Sequence, residues 1–141
     1  MAETNYFSSG SGDASDEQAT WIDWQGSTSI EMVPGLQIQA LTSANVMVSF
    51  VHLEPHTEAA VHWHDEEQIS IVIDGELEFE VGGVTRTLRR GDAVLIPSNV
   101  PHGARTGSSP CFELDVFNPP RRALLDALGI DVGAGEPADD R

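Results

Sequence analysis

The chain contains no lysine. Its cationic side chains are seven arginines, set against 23 Asp and Glu, for a formal net charge of −16 at pH 7. A surface of that sign offers no basic footprint, which excludes nucleic acid and anionic membranes as partners. The excess runs through the chain: residues 1–20 hold four acids and no base, and residues 21–130 hold fifteen acids against six arginines. Such acidity serves solubility or suits a high-salt cytosol, and composition leaves both open. Cysteine is nearly absent too. The single Cys111 excludes an intramolecular disulfide framework and fits a reducing compartment. No apolar run approaches the roughly 20 residues of a membrane-spanning helix. The N-terminal stretch lacks the basic start and apolar segment of a secretory signal, so a cytoplasmic protein is expected. At 141 residues and 40% hydrophobic, the chain can bury one core of ordinary size.

What is present is a succession of short apolar segments: Leu36–Leu41, Val46–Leu53, Gln68–Ile73, Leu77–Val81, Val84–Leu88, Ala93–Ile96 and Cys111–Phe117. Most alternate with period two and are bounded by Pro or Gly. Leu77, Phe79 and Val81 interleave with Glu76, Glu78 and Glu80, a strand with one wet face. Gly82-Gly83 then predicts a tight hairpin. Short strands at close spacing, without long helical patterns between them, predict an all-β sandwich or barrel. One short C-terminal helix is expected over Arg121–Leu128, after Pro119-Pro120 and ending at Gly129. Residues 1–18 read as a disordered acidic tail, 19–128 as the domain and 129–141 as a second loose tail.

The five histidines carry the chemistry. On an extended strand His62 and His64 project to one face while Trp63 points away. Gln68 follows four residues later, and His102 lies beyond a Pro97–Pro101 turn. Three imidazoles and an amide oxygen suffice for a mononuclear metal site with positions left open. The His62/His64 pair alone is equally compatible with surface or satisfied core residues. His52 and His56 are isolated and read as structural, Met32 and Met47 as core.

The stretch HWHDEEQISIVIDG, His62 to Gly75, resembles the first motif of the cupin superfamily, and GDAVLIPSNVPH, Gly91 to His102, resembles the second. The resemblance covers residues 21–122 and implies a double-stranded β-helix, a small jelly-roll barrel. It also implies one divalent transition metal (Zn, Ni, Mn, Fe or Co) on His62, His64, Gln68 and His102. The sequence departs from the family pattern at His56 and Asn99, where Gly is usual, and at Thr106, where Asn is common. None of these is a ligand. Gln68 in place of an acid leaves the ion's charge uncompensated, so an anionic ligand such as a carboxylate is expected.

LDVFNPPR, Leu114 to Arg121, is similar to a segment of the pectin-degradation cupins, which open the ring of 4,5-unsaturated monouronates. That similarity implies catalytic roles for Asp115, Phe117 and Arg121 and a carboxylate-bearing sugar as substrate. Read from the residues alone, Cys111, Glu113, Asp115 and Phe117 share one strand face, and Phe112, Leu114 and Val116 the other. Asp115 is then either an acid–base group inside the barrel or a solvated outer residue. Arg121 either clamps substrate or caps the terminal helix. Arg105 either reaches the pocket or lies on the surface. Cys111 reads as a small buried hydrophobe. Trp63 and the Asp65–Glu67 turn are expected to face away from the metal. Other chemistries of the same scaffold are a metal-dependent dioxygenase, a cyclase, or a non-catalytic small-molecule binder. A homodimer is expected.

Overall fold

The computed structural model describes residues 16–131; of the tails expected over 1–18 and 129–141, all but residues 16–18 and 129–131 lie outside the described residues. Ten strands form two antiparallel sheets. In chain order they are β1 Ile30–Val33, β2 Leu36–Thr42, β3 Met47–Leu53, β4 Glu58–His62, β5 Glu67–Asp74, β6 Glu76–Val81, β7 Val84–Arg89, β8 Ala93–Ile96, β9 His102–Arg105 and β10 Cys111–Asn118. One sheet has the order β1-β2-β3-β10-β5-β8 and the other β4-β9-β6-β7. This is the expected jelly roll. Each period-two segment named from the sequence forms a strand. The segments not anticipated are β1, β4 and β9, which are short or rich in His, Ala and Gly.

Alternation fixes which residues go inside. Ile38, Met47, Val51, Leu53, Val72, Ile96 and Phe117 from the six-stranded sheet meet Leu77, Phe79 and Leu88 from the other in one core. Burying each large side chain contributes about 1.5–3 kcal/mol. The Gly82-Gly83 hairpin forms as expected, with φ of 58° and 85° at the two turn residues. Two positive φ values give the turn a twist that matches the strands it joins. Met47 is fully buried, but Met32 is 41% exposed on the edge strand β1 and is not a core residue.

The helix α1 spans Arg122–Leu128 and buries Leu124, Leu125 and Leu128. It packs on β2. Gly129 ends it in the left-handed conformation, its N–H bonded to the Asp126 carbonyl. Arg121 occupies the N-cap position without a side-chain capping bond. Its guanidinium is thereby free for other contacts. Among the described residues no helix is long and apolar enough to cross a membrane.

Candidate metal centre and cavity

The two histidine motifs meet at one end of the barrel because β4 and β9 are neighbours. His62 on β4 lies directly opposite His102 on β9. His64 joins them by another route than strand parity. β4 ends at His62, so His64 stands in the following loop, and that loop is pinned from both sides. The Asn99 N–H donates to the His64 carbonyl at 2.8 Å, and Asn99 Nδ2 donates to Asp65 Oδ1 at 2.9 Å. Asn99 adopts φ 65° to do so, a left-handed conformation that Asn tolerates better than most residues. His56, the other departure at a family glycine, also has positive φ, at 57°. Thr106 supports the barrel: its hydroxyl donates to the Glu54 carbonyl at 2.6 Å and accepts from the Thr57 N–H at 2.9 Å.

The three imidazoles share one hydrogen-bonding pattern. His62 Nδ1 lies 2.8 Å from the Ala60 carbonyl, His64 Nδ1 3.0 Å from the Glu66 carbonyl, and His102 Nδ1 2.8 Å from the Val100 carbonyl. A carbonyl only accepts, so each Nδ1 carries the proton and each Nε2 keeps a lone pair. His102 Nε2 is buried without a partner. His64 Nε2 lies 3.1 Å from Gln68 Oε1, while Gln68 Nε2 donates to Ser70 Oγ at 2.9 Å. Two acceptors at that distance repel unless a cation lies between them. The one-atom-per-residue donor set of His62, His64 and His102 lies within 4.8 Å of one another. This group can hold a metal ion, and its chemistry fits a borderline divalent ion. Burial pulls the His102 pKa down to about 4 and lowers that of His64 as well, so both imidazoles are neutral, as ligation requires.

Beside the imidazoles opens a cavity of about 300 Å³, lined by His62, His102, Gln68, Asp115, Phe117 and Arg121 among others. The mixed face of β10 therefore looks inward. Asp115 Oδ1 accepts from Ser70 Oγ at 2.6 Å. Burial raises the Asp115 pKa, while hydrogen bonds from Glu113, Ser70 and Gln68 and the Arg121 charge oppose that shift. The Phe117 ring lies 5.7 Å from His64 and carries the Arg121 guanidinium 5.6 Å from its centre.

Three expectations need correction or completion. Glu66 does not face away: its carboxylate stands 3.4 Å from His64 Nδ1 and 3.9 Å from Arg121 Nε. Parity fails there because residues 63–66 form a loop. Trp63 does point outward, 65% exposed. Arg105 pairs with Glu78 on the outer surface and is absent from the cavity wall. Glu113, by spacing a face-mate of Asp115, is buried against it, and its pKa is raised well above the usual range by burial and by the Asp115 charge. Its i, i+2 relation to Asp115 was the available signal. Cys111 is buried, and burial pushes its thiol up to about 12, which leaves it inert. His52 stacks on Phe112 at 4.4 Å, apart from the triad.

A β-jelly roll with a convergent histidine triad at the mouth of its inner cavity defines the cupins, and the chain belongs to that family: residues 49–117 match the cupin domain. Within the family it resembles the pectin-degradation cupins. It is 30% identical over 97 residues to the pectin degradation protein KdgF of Dickeya dadantii (strain 3937), covering 67% of this chain and 88% of that protein. The structure of KdgF from Halomonas sp. superposes with a TM-score of 0.70 at 26% identity, over 77% of this chain and 100% of that one. The H2HPP isomerase of Bacillus subtilis is 39% identical over 77 residues, 54% of this chain; the chain spans 33% of that protein's length. Relatives of this chain thus include enzymes of more than one kind.

Proposed function

We propose that the protein is a metal-dependent enzyme that opens the ring of 4,5-unsaturated monouronates. The observation that carries this reading is that Asp115, Phe117 and Arg121 line the same cavity as His62, His102 and Gln68. In this account His62, His64, Gln68 and His102 hold one divalent ion. When bound, it supplies positive charge that binds and polarises an anionic oxygen of the substrate. The reaction is an isomerisation. A proton leaves the anomeric hydroxyl, the bond between the anomeric carbon and the ring oxygen breaks, and the resulting enolate takes a proton at C4. Asp115 moves the proton, since its raised pKa brings it nearer neutrality than an ordinary carboxylate. Phe117 offers an apolar plane to the sugar ring, and Arg121, held over that plane and near Glu66, orients the substrate carboxylate.

The test follows loss of the ring double bond's absorbance in unsaturated galacturonate, against the spontaneous rate. Acceleration that a chelator abolishes is expected, and Asp115→Asn should lower turnover by about 100-fold or more with metal content unchanged. No acceleration by protein carrying one equivalent of metal overturns the reading. A second reading, an isomerase, cyclase or dioxygenase of a less polar carboxylate, or a binder of one, draws on another observation. Beyond the polar groups the cavity wall is apolar, with Leu36, Ile38, Val51, Leu53 and Phe79. Conversion or tight binding of an aromatic keto acid in place of the uronate would favour it.

The proposed assembly is a homodimer formed through the outer face of the six-stranded sheet. Across that face Leu41, Val48, Val116, Ile69 and Leu95 lie opposite one another from β2 to β8, with Phe50, Leu114 and Ile71 forming the next row. No charged residue interrupts them. In a chain of net charge −16 this is a surface where a second copy meets no repulsion.

A further inference from the structure

Two buried polar atoms in the cavity are not used by the function proposed above. Ser49 is 1% exposed and Glu113 5% exposed, and neither Ser49 Oγ nor Glu113 Oε1 has a hydrogen-bond partner. Both residues line the cavity. Gln68, which reaches His64, is opposite Phe117, and Glu113 lies four residues along β10 from Phe117. At about 3.3 Å per residue this places Glu113 about 13 Å along the strand from the imidazole end. Ser49 on β3 is directly opposite Asp115 on β10, and Glu113 is two residues along from Asp115. Ser49 and Glu113 are therefore diagonal neighbours, with Cα atoms about 7–8 Å apart, within reach of a common small group. An unpartnered buried acceptor or hydroxyl costs about 1–3 kcal/mol, so a fold that keeps two on one cavity wall has a partner for them.

We propose that Ser49 and Glu113 form a distal subsite that takes a hydroxyl group of a hydroxylated carboxylic acid whose carboxylate is held at the imidazole end of the cavity. This rests on the reading of the imidazole centre as a carboxylate anchor and adds to it the character of the ligand's far end. The chemistry excludes other groups. A second carboxylate there would face the acidic pair Glu113 and Asp115, whose nearest cation, Arg121, stands beyond Asp115 on the side away from Glu113. A wholly apolar end would leave both atoms unpaired. The Glu113 carboxyl is hydrogen-bonded to Asp115, and Oε1 is the oxygen left without a partner, so Oε1 is open to accept. A ligand hydroxyl donates to Oε1 and accepts from Ser49 Oγ, satisfying both atoms.

The experiment compares binding of D-galacturonate and cyclohexanecarboxylate by calorimetry to the full chain carrying one equivalent of Zn(II). The two probes share a six-membered ring and a carboxylate, and only the first has hydroxyls. Ser49→Ala and Glu113→Leu should each lower the preference for galacturonate over cyclohexanecarboxylate by about 5- to 10-fold, the worth of one hydrogen bond. Glu113→Gln keeps an acceptor oxygen and should hold that preference within about 2-fold of wild type. Should both probes bind with a ratio that neither Ser49→Ala nor Glu113→Leu moves, a trapped water satisfies the two atoms; the subsite is then overturned and the carboxylate anchor stands. Should neither probe bind the Zn(II)-loaded wild type, the carboxylate anchor falls and the subsite with it.

Discussion

On the outer face of the four-stranded sheet, Glu78 lies opposite Arg105 and Glu76 opposite Arg89, both as ion pairs. On the outer face of the six-stranded sheet, Leu114 lies between Phe50 and Ile71, and Val116 between Val48 and Ile69. The inner faces invert this contrast. The four-stranded sheet turns Leu77, Phe79 and Leu88 inward and adds His62 and His102. The six-stranded sheet turns in Ser49, Ser70, Gln68, Glu113 and Asp115. An acidic chain has thus kept charge off the middle of one outer face, with Glu31 and Glu67 at its margins, while burying two acids behind it. Surface ion pairs contribute about 0–1 kcal/mol each, so the charged face belongs to water. The middle of the other face is apolar enough to need covering. Inside, two of the imidazoles that can hold a metal come from the four-stranded sheet and the third from the loop after β4, while the buried hydrogen-bonding groups, Gln68 beside His64 among them, come from the six-stranded sheet.

Removing a group from the four-stranded sheet's interior should have the largest effect. His102→Ala takes away a buried imidazole whose Nε2 has no other partner. Metal content measured by elemental analysis should fall from one equivalent to near zero. The loss in affinity should exceed the 10- to 100-fold typical of merely supporting residues. Uronate turnover should drop to the spontaneous rate. Retained metal would show that the imidazoles do not act together and would erase the contrast between the two inner walls.

Next in size is a change to the apolar exterior. Leu114→Asp puts a charge in the middle of that face, and sedimentation should show the dimer replaced by monomer at micromolar concentration. Glu78→Gln on the other exterior should leave the assembly unchanged and alter stability by no more than about 0.5 kcal/mol. A wild-type monomer in the same measurement would give the apolar face another role.

Much of this contrast was legible in the sequence. The alternation of Leu77–Val81 with glutamates identified a half-wet strand, and the alternation in Cys111–Phe117 separated a mixed face from an apolar one. Strand parity carries that information because side chains alternate strictly. It carried nothing past a strand's end. His64 and Glu66 stand in a loop where backbone bonds from Asn99 and to the Glu66 carbonyl set their direction. Apart from its end at His62, β4 shows no apolar rhythm over Ala59 and Ala60, nor does β9 over Gly103 and Ala104; they exist as strands by pairing, β4 with β9 and β9 also with β6. The partnership of Glu113 with Asp115 was half visible, since spacing placed them on one face. That the face is inward, and the acids therefore costly, is a property of the barrel.

The smallest effect concerns that cost. Glu113 sits beside Asp115 on β10, with the Cys111 thiol on the same face and the Arg121 charge beyond Asp115. Burial and the Asp115 charge raise the Glu113 pKa well above the ordinary carboxylate range, so between the unfolded and the folded value the folded protein keeps a proton that the unfolded chain releases. Folding then takes up a proton, which grows less favourable as pH rises from the unfolded carboxylate's value towards the folded one. Stability from this group is full at low pH and lost upward through that window. Glu113→Gln has no proton to take up and retains a donor to Asp115. Its Tm at pH 7 should exceed that of the wild type by about 3–6 °C, the shift worth roughly 1 kcal/mol in a domain of this size. The difference should close as the pH approaches the ordinary carboxylate range. A gap that stays constant with pH would mean Glu113 is ionised in the folded barrel. The inner wall would then carry two negative charges, with Arg121 as the cation that keeps them.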